Sequence, residues 1–164
     1  MVDAAPRLVE LGRPIRVVHQ TGERDVEMVR AGYAAAGLEA QVEPFIYDMG
    51  VRLAQADLVI CRAGATTLAE LTAAGKPAVL IPLPTATDDH QRKNAEALAA
   101  AGAAEMLLQS DATGMRLATV VGDLVRDEQK RARMSAAARS MARPDAARMI
   151  VDEALALAGV DRDK

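Results

Sequence analysis

The chain has 164 residues, of which 51% are hydrophobic by a broad count and 26% are charged, and its formal net charge is −3. This length suits one domain. The chain has three aromatic residues in all, so it lacks the stacking platforms of a single-strand nucleic-acid binder. No apolar run approaches the ~20 residues of a membrane span. The single cysteine, Cys61, excludes an internal disulfide and fits a reducing compartment, so composition predicts a soluble, cytoplasmic globular domain.

Short apolar runs alternate with alanine-rich segments of helical spacing along the first 110 residues. The runs, which predict strands, are 15–19, 41–46, 57–61, 78–82 and 104–108, and the helical segments are 2–11, 24–36, 49–55, 67–74 and 91–101. Gly12, Gly37, Gly75 and Gly102 lie where four of these helices should stop. Continuous apolar runs are typical of strands buried on both faces. The alternation therefore predicts an α/β fold, a Rossmann-like doubly wound parallel sheet.

Three successive helices are predicted after this core, at 113–126, 128–141 and 145–158. This part of the chain is rich in basic residues, namely Arg126, Lys130, Arg131, Arg133, Arg139, Arg143 and Arg148. A basic stripe can contact nucleic acid or anionic lipid, but more often it is a solvated helix face, which is the interpretation that we favour.

The loop after the third predicted strand has the most specific pattern. Gly64 permits a close backbone approach, and a helix that starts near Ala65 presents free N–H groups at its positive dipole end, which favours a phosphate or diphosphate. Glu70 lies three residues beyond Thr67 on the same helical face, where its carboxylate can accept hydrogen bonds from two vicinal hydroxyls. Thr67-x-x-Glu70 is also the spacing of a capping box, and spacing alone favours capping.

The loop after the fourth predicted strand leads into the helix that begins near Gln91. Asp88 or Asp89 is the predicted N-cap of this helix. His90 and Gln91 are then placed at the helix start, where their polar ends can bond sugar hydroxyls. We expect no metal here, because three adjacent side chains do not readily converge on one ion.

After the second predicted strand, Phe45, Ile46 and Met49 form an apolar edge at which backbone groups near Ile46 can contact a base. The same residues also fit a role in the core.

The only histidines are His19 and His90, so no Cys–His or Ser–His–Asp pairing can be argued. The chain also contains no P-loop lysine motif and no G-x-G-x-x-G.

An ordered series of motifs runs through nearly the whole chain. It comprises His19-Gln20-Thr21-Gly22, Phe45-Ile46-x-Asp48-Met49, Cys61-Arg62-x-Gly64-Ala65-x-Thr67-x-x-Glu70, Ala73-Ala74-Gly75-x-Pro77 and Asp89-His90-Gln91-x-x-Asn94-Ala95. In order and spacing the series resembles the bacterial MurG family, the N-acetylglucosaminyltransferases that convert lipid I to lipid II in peptidoglycan synthesis. The resemblance implies the C-terminal, nucleotide-sugar-binding domain of a GT-B enzyme, whose active site lies between two Rossmann-like domains.

The resemblance also implies which residues bind the donor, UDP-N-acetylglucosamine. They are Phe45, Ile46, Met49, Gly64, Ala65, Thr67, Glu70, His90 and Gln91. The first three would frame the uracil, and Ala65 and Thr67 would meet the diphosphate or sugar at the helix start. Glu70 would hold the ribose hydroxyls, and the last two would contact the sugar hydroxyls. It implies no cofactor, and it favours the ribose role of Glu70 over capping.

The chain departs from the family pattern at its start, where a helix stands in place of a strand and a Gly-rich loop. We expect residues 1–110 to form the donor-binding core without that strand and loop, and residues 111–164 to form C-terminal helices of the same domain. The resemblance implies that the undecaprenyl-linked acceptor, the membrane contact and the acceptor-side base belong to a missing N-terminal domain. We therefore expect this chain alone to be inactive, and the full-length protein to act at the cytoplasmic face of the inner membrane.

Two other functions remain open. The chain can be the catalytic subunit of a split UDP-sugar GT-B transferase that a separate acceptor-domain partner completes. It can also be a non-catalytic α/β binding module with a decayed site. Loss of UDP binding in a Glu70→Ala variant separates the two transferase interpretations from the module.

Overall fold

The computed structural model describes residues 1–159. The strands are β1 (Val17–Gln20), β2 (Ala40–Glu43), β3 (Val59–Cys61), β4 (Ala78–Leu80) and β5 (Ala104–Met106). The α-helices are α1 (Ala5–Val9), α2 (Val26–Ala35), α3 (Met49–Gln55), α4 (Ala65–Ala74), α5 (His90–Ala100), α6 (Gly114–Arg126), α7 (Glu128–Ser140) and α8 (Ala146–Leu157), with 3-10 turns at Val2–Ala4 and Thr87–Asp89. Every predicted strand and helix is present within a few residues of its expected bounds. The last five residues of the predicted 111–164 segment lie outside the described part.

The first predicted helix, 2–11, is divided into a 3-10 turn and the short α1. Pro6 stands at the start of α1. Proline has a fixed φ and no N–H, which suits the first turn of an α-helix and no later one. The α-helix therefore begins at Ala5, and the residues before it form a tighter turn.

The strands form two parallel sheets instead of the single sheet expected. One sheet pairs β1 with β2, and the other has the order β3-β4-β5. Within residues 1–159, β1 and β3 do not pair with each other. A cavity of about 710 Å³ lies between these two strands, and its lining includes Val17, Val18, Leu58 and Ile60. The two halves of the fold therefore meet through helices and apolar side chains and not through a continuous hydrogen-bond ladder.

Helices cover both faces of β4, the middle strand of the three-stranded sheet, as the doubly wound prediction required. Successive side chains on a strand point to opposite faces. Accordingly Val79 joins a core cluster with residues of α1, α2 and α6, whereas Ala78 and Leu80 join a second cluster with residues of α4, α5 and α7. Burial on both faces, expected for most strands, holds for β4 but is wrong for β1, whose Val18 is 44% exposed because it borders the cavity.

Several of the basic residues after α6 serve the fold. Lys130 pairs with Glu105, the middle residue of β5. Arg131 donates to the carbonyl oxygens of Leu124 and Val125, which are acceptors that the end of a helix leaves free. Helix α8 contributes no buried residue, and no helix within residues 1–159 has the length and apolarity needed to cross a membrane.

The end of α4 depends on a glycine, and this gives a testable prediction. Gly75 has φ +62, and a Cβ there would collide with the side chain of Arg139. We expect Gly75→Ala to lower the free energy of unfolding by about 1–2 kcal/mol, the cost of a left-handed conformation for an L-residue, with steric strain in addition. Urea unfolding followed by circular dichroism measures this change.

Gly50 in α3 provides the matched control. It has an ordinary helical φ, and a Cβ there would meet open space. Gly50→Ala should therefore stabilise the protein by about 0.5–1 kcal/mol. Equal effects of the two substitutions would show that the conformation at Gly75 is not what makes glycine necessary.

Candidate functional site

The loops that follow β1 and β2 are tied together at the carboxyl ends of the strands, where open parallel sheets bind ligands. The Ile46 N–H donates to Gln20 Oε1 at 2.9 Å. Ile46 is 7% exposed, whereas Phe45 is 53% exposed and stacks edge-to-face on Tyr47 with ring centroids 4.9 Å apart. Met49 begins α3 and packs against the second core cluster. The three residues predicted to frame a base thus divide into one exposed ring and two side chains held by the fold.

The next loop ends at the N-terminus of α4. Gly64 is its N-cap in an extended conformation, and Leu68 N donates to the Gly64 carbonyl at 3.0 Å. The N–H groups of the residues between them precede this first helical bond, so they have no acceptor within the helix. Because the helix dipole places partial positive charge here, the turn is suited to an anion.

The structure also tests the capping interpretation of Glu70. Thr67 is the third residue of α4 and not its N-cap, and no side chain caps the helix, so the capping-box interpretation is wrong. Glu70 is exposed, and within residues 1–159 its carboxylate makes neither a hydrogen bond nor an ion pair. Cα–Cβ bonds on a helix tilt toward its N-terminus, so that of Glu70 leans toward the turn that is suited to an anion.

The segment before α5 has an unusual backbone. Asp88 and Asp89 are both in the left-handed region, with φ of 52 and 55, a conformation that costs a non-glycine residue about 1–3 kcal/mol. Asp89 stands at the N-cap position, but its side chain caps no N–H and instead pairs with Arg92 at 3.9 Å. The predicted N-cap position is therefore confirmed for Asp89, but the capping hydrogen bond expected of its side chain is absent.

The two residues that open α5 present different polar atoms. His90 Nδ1 lies 2.7 Å from the Thr87 carbonyl oxygen. Since a carbonyl can only accept, Nδ1 carries the hydrogen and Nε2 is left for another partner. Gln91 Oε1 accepts from the backbone N–H groups of Ala63 and Leu83, at 3.2 and 3.0 Å. Gln91 therefore joins the loops after β3 and β4, a role that sequence reasoning missed.

Asn94 and Arg62 add to this connection. Asn94 Nδ2 donates to the Ala63 carbonyl at 3.0 Å, and Arg62 Nη1 donates to the Ile81 carbonyl at 3.1 Å. Both residues belong to the ordered motifs, but neither was assigned a function from them. The available signal was the spacing of Gln91 and Asn94, which places both amides on one face of α5.

A cavity of about 260 Å³ adjoins these loops, lined by residues that include Leu83, Asp89, Arg92 and Leu108. Its volume is below the roughly 300–1,000 Å³ of enclosed ligand pockets. The larger cavity of about 710 Å³ lies between the sheet edges and is lined by none of the nine predicted site residues. The candidate site on this chain is therefore an open surface at the carboxyl ends of the strands.

His19, at the end of β1, is held by a buried tyrosine. Its Nδ1 lies 3.0 Å from the Tyr33 hydroxyl. Burial, and secondarily the positive N-terminus, lower the pKa of His19 from 6.5, and burial raises the pKa of Tyr33 to about 12. Tyr33 thus stays protonated and donates to a neutral His19.

This pair predicts a pH dependence of stability. Below pH 6.5, the ordinary pKa of histidine, the unfolded chain takes up a proton that the folded chain accepts only at lower pH. The contribution of His19 is therefore fully present above pH 6.5 and is lost as the pH falls toward the lowered pKa of the folded state. We expect His19→Gln to flatten the dependence of the urea midpoint on pH between pH 7 and pH 5. A midpoint difference between wild type and variant that is constant across these pH values would contradict the assignment.

Comparisons with known proteins show the family of the chain. Residues 1–150 match the model of the glycosyltransferase family 28 C-terminal domain. A relative from Trichlorobacter lovleyi, named UDP-N-acetylglucosamine--N-acetylmuramyl-(pentapeptide) pyrophosphoryl-undecaprenol N-acetylglucosamine transferase, is 52% identical over 143 residues, which are 87% of this chain and 38% of the relative. A relative of the same name from Geobacter sp. strain M21 is 48% identical over 164 residues, 100% of this chain and 44% of the relative.

Among solved structures, the crystal structure of Acinetobacter baumannii MurG matches with a TM-score of 0.82 and 43% identity, over 90% of this chain and 43% of that one. These findings confirm the resemblance drawn from the ordered motifs and the Rossmann-like fold. The chain spans about two fifths of the length of the relatives that it matches.

Proposed function

The chain belongs to the glycosyltransferase family 28 C-terminal domain family, and on that basis we propose that it is the donor-binding portion of an inverting N-acetylglucosaminyltransferase. The donor is UDP-N-acetylglucosamine, and the acceptor of the whole enzyme is the lipid-linked N-acetylmuramyl-(pentapeptide) pyrophosphoryl-undecaprenol in the relatives' name. The observation that carries the proposal is that α4 holds two groups free to bind a ligand. Its N-terminus is not capped by a side chain, and its Glu70 carboxylate has no partner within residues 1–159.

Each part of the donor has a matching group. The diphosphate lies against the free N–H groups of the first turn of α4, assisted by the Thr67 hydroxyl. The ribose hydroxyls donate to Glu70. The uracil lies beside Phe45, and its N–H pairs with the Ile46 carbonyl, because Gln20 already occupies the Ile46 N–H.

The sugar lies toward the start of α5. His90 Nε2 and Gln91 Nε2 are the polar atoms that the described bonds of these two side chains leave for its hydroxyls. No metal ion is needed to hold the diphosphate in this arrangement, since the helix N-terminus supplies both donors and partial positive charge.

In the reaction, an acceptor sugar hydroxyl attacks the anomeric carbon of the donor as the bond to the diphosphate breaks. Negative charge develops on the leaving UDP, and N–H groups already aimed at it stabilise the transition state. A group that takes the proton from the attacking hydroxyl is also required, and we assign it to residues outside these 164. We therefore propose that the chain alone binds the donor without transferring it. Acceptor and membrane contacts likewise lie outside these residues, and the complete enzyme works at the cytoplasmic face of the membrane.

Ligand-induced stabilisation tests the proposal. UDP and UDP-N-acetylglucosamine should raise the Tm of the purified chain, and uridine should raise it less, because it lacks the diphosphate that contacts α4. The absence of any shift at millimolar UDP would favour the non-catalytic module. Rapid transfer to the lipid acceptor by the purified chain would contradict the assignment of the base to other residues, and co-purification with an acceptor-domain protein would favour the split enzyme.

A further inference from the structure

Both backbone polar groups of Ala63 are hydrogen-bonded to side chains of one helix, α5. The Ala63 N–H donates to Gln91 Oε1 at 3.2 Å, and the Ala63 carbonyl accepts from Asn94 Nδ2 at 3.0 Å. Gln91 and Asn94 lie three residues apart on α5, so both amides come from the same helical face. Ala63 itself has no exposed surface.

We call the two hydrogen bonds from Gln91 and Asn94 to Ala63 the clamp, and the position of Ala63 in the chain determines what the clamp holds. Ala63 directly precedes Gly64, the N-cap of α4. Gly64 has no side chain that can be packed, and no side chain caps the helix. The direction in which the first turn of α4 presents its N–H groups therefore depends on the backbone before it, which the two amides of α5 hold.

The clamp also ties the neighbouring loop to the same point. Gln91 Oε1 accepts a second N–H, that of Leu83 after β4, at 3.0 Å. Arg62 Nη1 spans the same gap to the carbonyl oxygens of Ile81 and Pro82, at 3.1 and 3.4 Å. The turn at the start of α4 is thus fixed relative to the next loop by side chains from both sides.

We propose that Asn94 is a positioning residue for diphosphate binding. It acts through the Ala63 carbonyl, and together with the acceptor oxygen of Gln91 it holds the first turn of α4 in the orientation that receives the diphosphate. Asn94 does not contact the ligand. This inference rests on the proposed function, because it concerns the same anion-binding turn.

Asn94→Asp is the sharpest test, because it keeps the shape of the side chain and removes the donor. The ionised carboxylate then faces the Ala63 carbonyl oxygen, and the two acceptors repel each other. We expect the affinity for UDP, measured by isothermal titration calorimetry, to fall about tenfold, as expected when charge-assisted hydrogen bonds are misaligned. The affinity for uridine should change less than about twofold, because the base and ribose contacts lie on other residues.

A rescue by pH separates positioning from general damage. When the carboxyl of the Asn94→Asp variant is protonated it can donate to the Ala63 carbonyl again. The ratio of its UDP affinity to that of wild type should therefore rise toward one as the pH is lowered from 7 toward about 4, where an ordinary aspartate takes up its proton, whereas Asn94→Leu should show no recovery. Glu96→Gln, on the exposed side of α5, serves as the matched control and should leave both affinities unchanged.

Three outcomes would overturn the inference: equal losses of UDP and uridine affinity, no loss of either, or a loss in Asn94→Asp that does not recover at low pH. Failure of the proposed function is distinguishable, since wild type would then bind UDP no more tightly than uridine. A far-UV spectrum and Tm of each unliganded variant show whether it is folded.

Discussion

Replacing Leu80 with alanine is expected to lower the free energy of unfolding by about 2–5 kcal/mol, the range for a buried leucine that leaves a cavity. Leu80 has no exposed surface and lies in β4, the middle strand of the three-stranded sheet. Its side chain belongs to the second core cluster, and its carbonyl accepts from Leu107 N at 3.0 Å. Alanine keeps this backbone bond, so the loss measures side-chain packing.

Thermal and urea unfolding provide the measurement. For a chain of this size each kcal/mol corresponds to roughly 2–4 °C in Tm. The matched control is Leu157→Ala on α8, because Leu157 is 83% exposed and should change stability by no more than about 0.5 kcal/mol. A Leu80→Ala variant as stable as Leu157→Ala would mean that the second cluster does not carry the stability of the fold.

The order of strands and helices was predictable because the signals for each element, an apolar run or a terminating glycine, lie within or next to that element in the sequence. Gly12, Gly37, Gly75 and Gly102 all have φ between +62 and +73, the conformation that ends a helix and that glycine adopts without strain. The division into two sheets was not predictable in this way. An apolar run shows that a segment is a buried strand, but its neighbours depend on contacts between segments distant in the chain.

The site was predictable only in part for a related reason. The turn at Gly64 follows from a strand, a glycine and a helix in sequence, all of which are local. The spacing of Thr67 and Glu70 fits both a capping box and a shared face, and the residue at which α4 begins decides between them. The amide of Gln91 carries an acceptor and a donor end, so spacing could not show that its oxygen is bound to Ala63 and Leu83.

Glu70→Ala is expected to weaken UDP binding by about 1–3 kcal/mol, the cost of losing hydrogen bonds to a charged group, which corresponds to roughly 5- to 150-fold in Kd. The stability of the unliganded protein should change little, because Glu70 is exposed and has no hydrogen bond or ion pair within residues 1–159. A large effect on binding with a small effect on folding is what distinguishes a ligand-binding carboxylate from a structural one. Calorimetry with UDP and a thermal melt of each protein measure the two quantities.

A ligand that lacks the two ribose hydroxyls identifies the contact. If Glu70 binds those hydroxyls, 2′,3′-dideoxy-UDP should bind wild type and Glu70→Ala with nearly equal affinity, because the contact between residue 70 and the ribose hydroxyls is absent from both complexes. The affinity of Glu70→Gln for UDP should lie between the affinities of wild type and Glu70→Ala, since the glutamine amide oxygen still accepts a hydrogen bond but carries no charge. If Glu70→Ala weakened UDP and its dideoxy analogue equally, the carboxylate would act on the base or the turn and not on the ribose. The assignment of the ribose to α4 would then be wrong, while the diphosphate at its N-terminus would still be tested by the comparison of UDP with uridine.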